Sequence, residues 1–410
     1  MTVLRELQMR PALLQRWGWD ASVTGRLVLA GAVIFTLLVG ANMATPLYGL
    51  LAHRLGLDSL GVTVAFASYV LALIGGLLLA GHWSDYIGRR AALVLAVLIG
   101  VAGGIVFANA SSLAMLAGGR VLQGLAVALA TGASSAALRD LLPTRPDWAS
   151  RFTLLASAGG VAAGPVLGGL LSLLPDPTRT PFLVQSVALI LLLGILLALK
   201  ARPAIKPAPQ GTALATLRPR RPSVSADARG AFWLASLVGF LSFSVFGFCL
   251  SLAPGYFASV MHTDARPVVG VLAALTLGSS ALSQLLTVRG RHVVPLGLGL
   301  LGVSVALIAV AGATGGGALL VLACVGAGAG QGLAFREVFN TVASSVEPAR
   351  HAQIISAVYV ITYLGSAVPV LGMGAAATVW GLPAAVDGFA VLAVAACAAL
   401  AAAAVRASRT

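Results

Sequence analysis

Arg120 and Gln123 stand three residues apart in a stretch, 112 to 138, that carries no other charged side chain. On a helix that spacing brings both to nearly one face, so a permanent cation and an amide share one spot. Such a pair can hold an acceptor-bearing or anionic solute; it cannot by itself break a bond. A second concentration of chemistry is "GHWSDYIGRR" (81–90), where Asp85, Arg89 and Arg90 sit between two apolar runs. Elsewhere the reactive residue types are sparse. His53, His82, His262, His292 and His351 fall in loops or at the ends of apolar runs, and Cys249, Cys324 and Cys397 stand singly. No metal-ligand spacing or disulfide framework results. With no paired carboxylates in the apolar runs and no polar catalytic domain, an enzyme is not expected, and neither is a cofactor.

These residues are carried by an unusually oily chain. Of 410 residues 59% are hydrophobic and 9% charged, with a mean hydropathy of +0.98, against roughly half apolar in soluble domains. Uncharged runs recur near or above the roughly 20 residues that a membrane-spanning helix needs. They predict an all-α membrane protein with twelve spans, at about 27–48, 61–81, 92–109, 112–139, 153–174, 181–199, 230–258, 267–288, 293–311, 317–343, 353–379 and 383–405. Two divisions rest on local breakers: clustered glycine in "GATGGG" (312–317) favours a turn, and Pro383 in "WGLP" opens a helix more readily than it continues one. A barrel is disfavoured because the runs are continuous and too long for alternating strands. The first span is too long, and followed by too many others, for a cleavable signal peptide.

The basic residues set orientation. With the N-terminus inside, 22 of the 26 lysines and arginines lie on the cytoplasmic side, three outside (Arg54, Arg179, Arg266) and one, Arg120, within the membrane. The positive-inside rule then predicts both termini in the cytoplasm. The net charge of +14 faces anionic membrane lipids and needs no nucleic acid. The proline- and arginine-rich connection 200–229 divides the spans six and six. The expected organisation is a cytoplasmic N-terminal segment (1–26), a six-helix bundle (27–199), a linker (200–229), a second bundle (230–405) and a tail (406–410). The halves echo each other at offsets of 202 to 210 residues: "RVLQGLA" with "GAGQGLA", "ASS" with "ASS", "GPVLGG" with "VPVLGM", "YIGRR" with "VRGRH". Duplicated halves are the architecture of carriers with a site between two rocking bundles.

Gly81, Asp85, Gly88, Arg89 and Arg90 resemble the loop signature of the major facilitator superfamily, Gly-x-x-x-Asp-x-x-Gly-Arg-Arg, with Tyr86 where the family usually carries a basic residue. The resemblance spans the chain: twelve helices, the duplication, inside termini and the long central loop. It implies a conformational latch, in which Asp85 pairs with Arg89 across the turn at Gly88 and the cluster docks on the other bundle. The alternative is that the two arginines are topogenic charge alone, but Asp85 adds nothing to topology, which favours the latch. "RVLQG" resembles the fourth-helix signature Arg-x-x-Gln-Gly, tied in the family to substrate or proton coupling. Arg120 lies about 12 Å below the outer edge at Ser112, counting 1.5 Å per residue, where an arginine is costly unless it faces a polar pathway or snorkels outward. Gly160, Gly164, Pro165, Gly168 and Gly169 resemble the fifth-helix signature of drug-proton antiporters, although glycine-rich helices also pack closely for structural reasons.

The resemblance therefore implies a secondary active transporter working by alternating access. It points to proton-coupled export of small organic or drug-like molecules, with uptake or facilitated diffusion of a metabolite such as an organic acid or sugar as the alternative. The expected setting is the bacterial inner membrane, as a monomer, with protons as coupling ion and a small molecule as substrate. Candidate substrate or coupling residues are Asn42, Thr45, Arg120 and Gln123, with Phe243, Phe246, Gln331 and Asn340 on the duplicated helices; the two phenylalanines are equally compatible with packing. Asp387 and Glu337 are candidate proton sites, although both stand near span ends and Glu337 has Arg336 and Arg350 nearby in sequence.

Overall fold

The computed structural model describes residues 2–7, 18–200, 229–286, 288, 290–345 and 351–407. Of the connection 200–229, residues 201–228 lie outside them. Among the described residues twelve helices are long and apolar enough to cross a membrane, and there is no strand beyond an isolated bridge between Trp19 and Leu199. In lipid every backbone amide must bond within its own segment, and helices alone achieve that with these runs.

The spans of the first bundle are Val23–Leu55, Ser59–Ala80, Arg89–Ala108, Leu113–Leu141, Arg151–Leu171 and Thr180–Ala198. Those of the second are Arg229–Ser251, Arg266–Leu285, Val293–Thr314, Gly317–Ser345, Ile354–Trp380 and Leu382–Ala407. Their starts follow local chemistry. Ser22, Asp58 and Ser112 accept from the backbone N–H groups of Gly25, Gly61 and Met115, satisfying donors that a first helical turn leaves unpaired. Gly315 and Gly381, at φ +68° and +85°, end the ninth and eleventh spans where the two sequence breakers stand.

The first span outruns its expected end near residue 48. Its helix stops at Asn42, passes through a 3-10 turn over Thr45–Leu47 containing Pro46, and resumes over Tyr48–Leu55. The seventh span repeats this: the helix ends at Ser251 and a shorter one, Ala253–Val260, follows with Pro254 in its first turn. Pro46 and Pro254 stand 208 apart in number, within the range of offsets read from the sequence. A proline cannot donate to the preceding turn, so each repeat bends at the same place.

Each half has its own apolar core. In the first, Val33, Ile34, Leu37, Val97, Phe107 and Phe182 are buried together; in the second, Phe248, Phe257, Leu298, Leu301 and Cys324 are. The bundles meet through the second span against the eleventh and the fifth against the eighth. With twelve spans, both ends of the bundle pair lie on one face, here termed proximal; the opposite face is distal. The distal ends are joined by hydrogen bonds. Arg266 donates to the Ser172 hydroxyl at 2.9 Å and to its carbonyl at 3.1 Å, and the Leu60 N–H donates to the Thr378 hydroxyl at 3.1 Å. Helix backbones approach so closely there that a Cβ on Gly270 would strike the Pro165 carbonyl oxygen and one on Gly374 would strike the Thr63 side chain. The distal mouth is shut.

Candidate functional site

The fourth span positions Arg120 well inside the membrane, and its side chain does not snorkel. The residue is 1% exposed and Gln123 4%. The guanidinium donates to the Ala41 carbonyl of the first span and to Gln123 Oε1 at 2.9 Å. Its carbon lies 4.4 Å from the centre of the Tyr69 ring and 6.0 Å from that of Phe66, both on the second span. The cation is thus held by a carbonyl, an amide and two aromatic faces, and no carboxylate partners it among the described residues. Ala41 accepts because the first span is about to break: helix-end carbonyls lack intrahelical donors. Asn42, next in chain, spends its amide on the Leu38 carbonyl at 2.8 Å. Thr45 lies buried in the 3-10 turn beyond it.

Three buried donors in this region have no hydrogen-bond partner: Arg120 Nε, Gln123 Nε2 and Tyr48 Oη. Tyr48 and Tyr69 both lie within electrostatic reach of Arg120. Tyr48, Phe66 and Tyr69 were not expected from the sequence. The available signal was a tyrosine in mid-span, at "ASYVLAL", far from the interfacial belt where tyrosine usually sits.

The counterpart candidates on the second bundle do not gather around Arg120. Gln331 accepts from the Ser280 hydroxyl of the eighth span, within its own bundle. Asn340, nine residues on, lies about half a turn round the same helix and is exposed, so those two cannot share a site. Phe243 and Phe246 do pack together, at 5.7 Å between ring centres, and Phe246 reaches the core of the first bundle. Phe243 also belongs to a closed circuit of rings from three spans: it neighbours Tyr363 at 5.2 Å and Phe335 at 5.8 Å, Phe335 neighbours Phe339, Phe339 neighbours Tyr359, and Tyr359 neighbours Tyr363. Tyr363 packs against the first bundle and lies within electrostatic reach of Tyr69. The circuit therefore reaches the bundle interface through Tyr363.

Of the candidate proton sites, Asp387 is exposed near the distal end of the twelfth span. Glu337 lies toward the proximal end of the tenth span, where Arg336 turns away to the Leu286 carbonyl; Arg350 lies outside the described residues. Neither acid makes an ion pair among the described residues, and neither joins the Arg120 group.

The hairpin between the second and third spans forms the expected pair and extends it. Gly88, at φ +87°, takes a backbone conformation that side chains disfavour, and this turns Arg89 back over the preceding short helix. Arg89 reaches Asp85 at 2.7 Å, Ser84 at 2.6 Å and Asp140, at the end of the fourth span, at 3.0 Å. Gly81 lies against Gly132 of that span, close enough that a Cβ on Gly132 would stand 2.7 Å from the Gly81 carbonyl oxygen. Arg90 points into the bundle. It pairs with Glu6 of a short N-terminal helix, Thr2–Leu7, at 2.7 Å, and donates to the Leu199 carbonyl. Burial raises the Glu6 carboxyl above the usual glutamate value, and the Arg90 guanidinium only partly opposes that. Arg26 completes this end, donating to Asp20 and to the Ala21 and Lys200 carbonyls. Beneath the hairpin is a cavity of about 320 Å³, lined by Arg26, Arg89, Arg90, Asp140, Leu93 and Leu196, and remote from Arg120.

The fifth-span glycines serve two neighbours. Gly160, Gly164 and Gly168 lie along the first span, where added Cβ atoms would meet Phe35, Asn42 and Met43, while Gly169 faces Arg266 and Pro267 of the other bundle. Pro165, inside the helix, faces Gly270 of the eighth span. The motif is built into both the Asn42 surroundings and the distal seal.

Twelve spans in two bundles that repeat the same proline break, with a buried cation inside the first, are the architecture of a membrane transporter of the two-bundle kind. The chain belongs to the major facilitator superfamily, whose family profile matches residues 30–370. Among curated proteins it resembles the class E tetracycline resistance protein of Escherichia coli, 33% identical over 152 residues, covering 35% of this chain and 36% of that one. It also resembles a chloramphenicol resistance protein of Pseudomonas aeruginosa, 27% identical over 39% of this chain and 38% of the relative. The bacillibactin exporter of Bacillus subtilis strain 168 is 29% identical over 36% and 38%. The matches thus span well under half the length of these relatives. Among solved structures, a bacterial homologue of the human lysosomal transporter Spinster superposes with a TM-score of 0.75 at 15% identity, covering 94% of this chain and 98% of that one. A variant of the nucleoside transporter NupG gives 0.74 at 14% identity, over 93% and 100%.

Proposed function

We propose that this protein exports small organic, drug-like molecules in exchange for protons, by alternating access between its two bundles. The observation that carries this is the Arg120 group: a buried cation without a carboxylate partner among the described residues, lying over Tyr69 of the span that packs against the second bundle. A permanent cation in that position strengthens binding of an acceptor-bearing solute, and moving bundles change its exposure. The names of the resistance and exporter relatives favour the outward direction. In this reading the proximal face is cytoplasmic, the membrane is the bacterial inner membrane, the protein acts as a monomer, and the distal-closed arrangement is the inward-facing one. Asn42, Thr45, Arg120, Gln123, Phe243 and Phe246 contribute to the solute path, Gly81, Asp85, Gly88, Arg89 and Arg90 to the latch, and Asp387 and Glu337 remain the proton candidates. The three unpartnered donors also suit carboxylate recognition by an importer, which is the second reading.

Inside-out vesicles separate the two. With an imposed gradient, acid inside, tetracycline, chloramphenicol and other organic solutes are added in turn and lumenal pH is followed. Export predicts solute-dependent proton release, abolished by Arg120→Ala. Gradient-independent equilibration, or release of preloaded solute from the vesicle lumen together with the proton, overturns export and selects the importer.

A further inference from the structure

The Arg120 group has more donors than acceptors. Arg120 Nε, Gln123 Nε2 and Tyr48 Oη are buried without partners, while every bond this guanidinium makes goes to a neutral oxygen. Buried polar groups are nearly always satisfied in native proteins, so three orphaned donors around one uncompensated cation describe a place for an anionic oxygen pair. Aspartate and glutamate do not supply it among the described residues. A guanidinium is suited to a planar carboxylate, which it can engage through two parallel bonds.

The second bundle offers a surface of different character. The circuit of Tyr359, Tyr363, Phe243, Phe335 and Phe339 closes on itself with neighbouring ring centres 5.2 to 6.2 Å apart. Phe335 is 9% exposed and the other four are half-buried. Its rings come from the seventh, tenth and eleventh spans, and Tyr363 packs on the first bundle's core, to which Tyr69, the ring over which Arg120 lies, also belongs. The first bundle thus presents charge-assisted donors and the second an aromatic wall whose neighbouring rings are tilted by 31 to 84°. Neither duplicate carries the other's chemistry: the position 208 after Arg120 is Gly328.

We propose that the site takes a planar aromatic anion, its carboxylate held by Arg120, Gln123 and Tyr48 and its ring packed in the angle between Tyr363 and Phe243. This rests on the transport reading above and deepens it by naming the solute class. An aromatic cation meets the wrong charge at Arg120, and an aliphatic acid finds no stacking partner across the interface.

Binding to the purified full chain in nanodiscs tests this without reference to transport. The probes are 2-naphthoate, its cationic counterpart 2-naphthylmethylammonium, and cyclohexanecarboxylate, each titrated calorimetrically. Naphthoate is expected to bind at least tenfold more tightly than either of the others. Tyr48→Phe, which removes one hydroxyl, and Arg120→Lys, which keeps the charge but not the fork, should each weaken naphthoate about tenfold. Tyr363→Leu should bring naphthoate close to the cyclohexane acid. Size-exclusion profiles and helical circular dichroism check folding, and should Arg120→Lys misfold, the two tyrosine variants decide. Equal or tighter binding of the ammonium probe, no binding of naphthoate, or indifference to both tyrosine variants overturns the proposal. If naphthoate binds as described yet no gradient moves it, the transport reading fails while the site assignment stands. If vesicles export other solutes and naphthoate does not bind, only the assignment fails.

Discussion

Replacing Arg89 removes bonds to Asp85, Ser84 and Asp140 together, whereas replacing Asp140 removes one. The side chains are partly exposed, so each bond is weakened by solvent. Arg89→Ala should cost about 1–2 kcal/mol and Asp140→Asn less than about 1 kcal/mol. Thermal denaturation followed by size exclusion measures both, and equal losses would show that Asp140, not Asp85, dominates the cluster. Glu6 gives a pH prediction of definite sign. Its carboxyl is raised above the usual value of 4.5, so the docked N-terminal helix holds its proton more tightly than the undocked one. Docking is then strongest at and below that usual value and weakens as pH rises through the raised one. Hydrogen exchange of residues 2–7, corrected for intrinsic rate, should show greater protection at pH 5 than at pH 8, with the difference flattened in Glu6→Gln. Pairings of this kind were hidden from the sequence because Glu6 and Arg90 are separated by 84 positions across a stretch with no shared periodicity. Asp85 and Arg89 were legible because one helical turn and a glycine connect them.

Among the elements, the eighth span is held against the fifth by the absence of a side chain at Gly270. A Cβ there meets the rigid Pro165 carbonyl oxygen, and backbone cannot move aside as a flexible side chain can. Gly270→Val should therefore wedge the distal ends apart and shift the population toward a distal-open form. Maleimide labelling of a Ser172→Cys reporter from the distal side should rise several-fold over the same reporter with Gly270 intact; unchanged labelling would place the closing contact elsewhere. The number and order of spans were readable because bilayer thickness fixes the length of an apolar run. The ends were less so. The fifth helix begins at Pro146, well before its expected start, because proline suits a first helical turn even in polar surroundings. The first span runs on to Leu55, past its expected end near 48, because tertiary packing lets a helix kinked at Pro46 resume. The aromatic circuit was invisible, since each ring is isolated in its own apolar run and only the folding of three spans brings them together.

For the whole molecule, the distal seal makes a testable statement about motion. Thr63 and Gly374 face each other across the bundles, and a Cβ on Gly374 would lie 2.9 Å from that of Thr63, so the two backbones must part slightly to reach the roughly 3.5–4.5 Å between Cβ atoms that a disulfide needs. In a Thr63→Cys, Gly374→Cys double variant, oxidation should lock the bundles, abolish solute movement and leave binding from the proximal side intact, with thiol reductant restoring transport. Undiminished transport in the oxidised form would mean that the bundles do not separate along this line. The three native cysteines are buried and should not compete for the oxidant.

At the proximal end the backbone of Trp19 pairs with that of Ala198 and Lys200, and Arg26 caps the same strand-like exit through the Lys200 carbonyl. The tether between the halves consequently departs from a fixed anchorage on one body. Deletions beyond Lys200 therefore act on a connection whose starting point is fixed, and the longest deletion that still supports transport would gauge the separation that the two halves require.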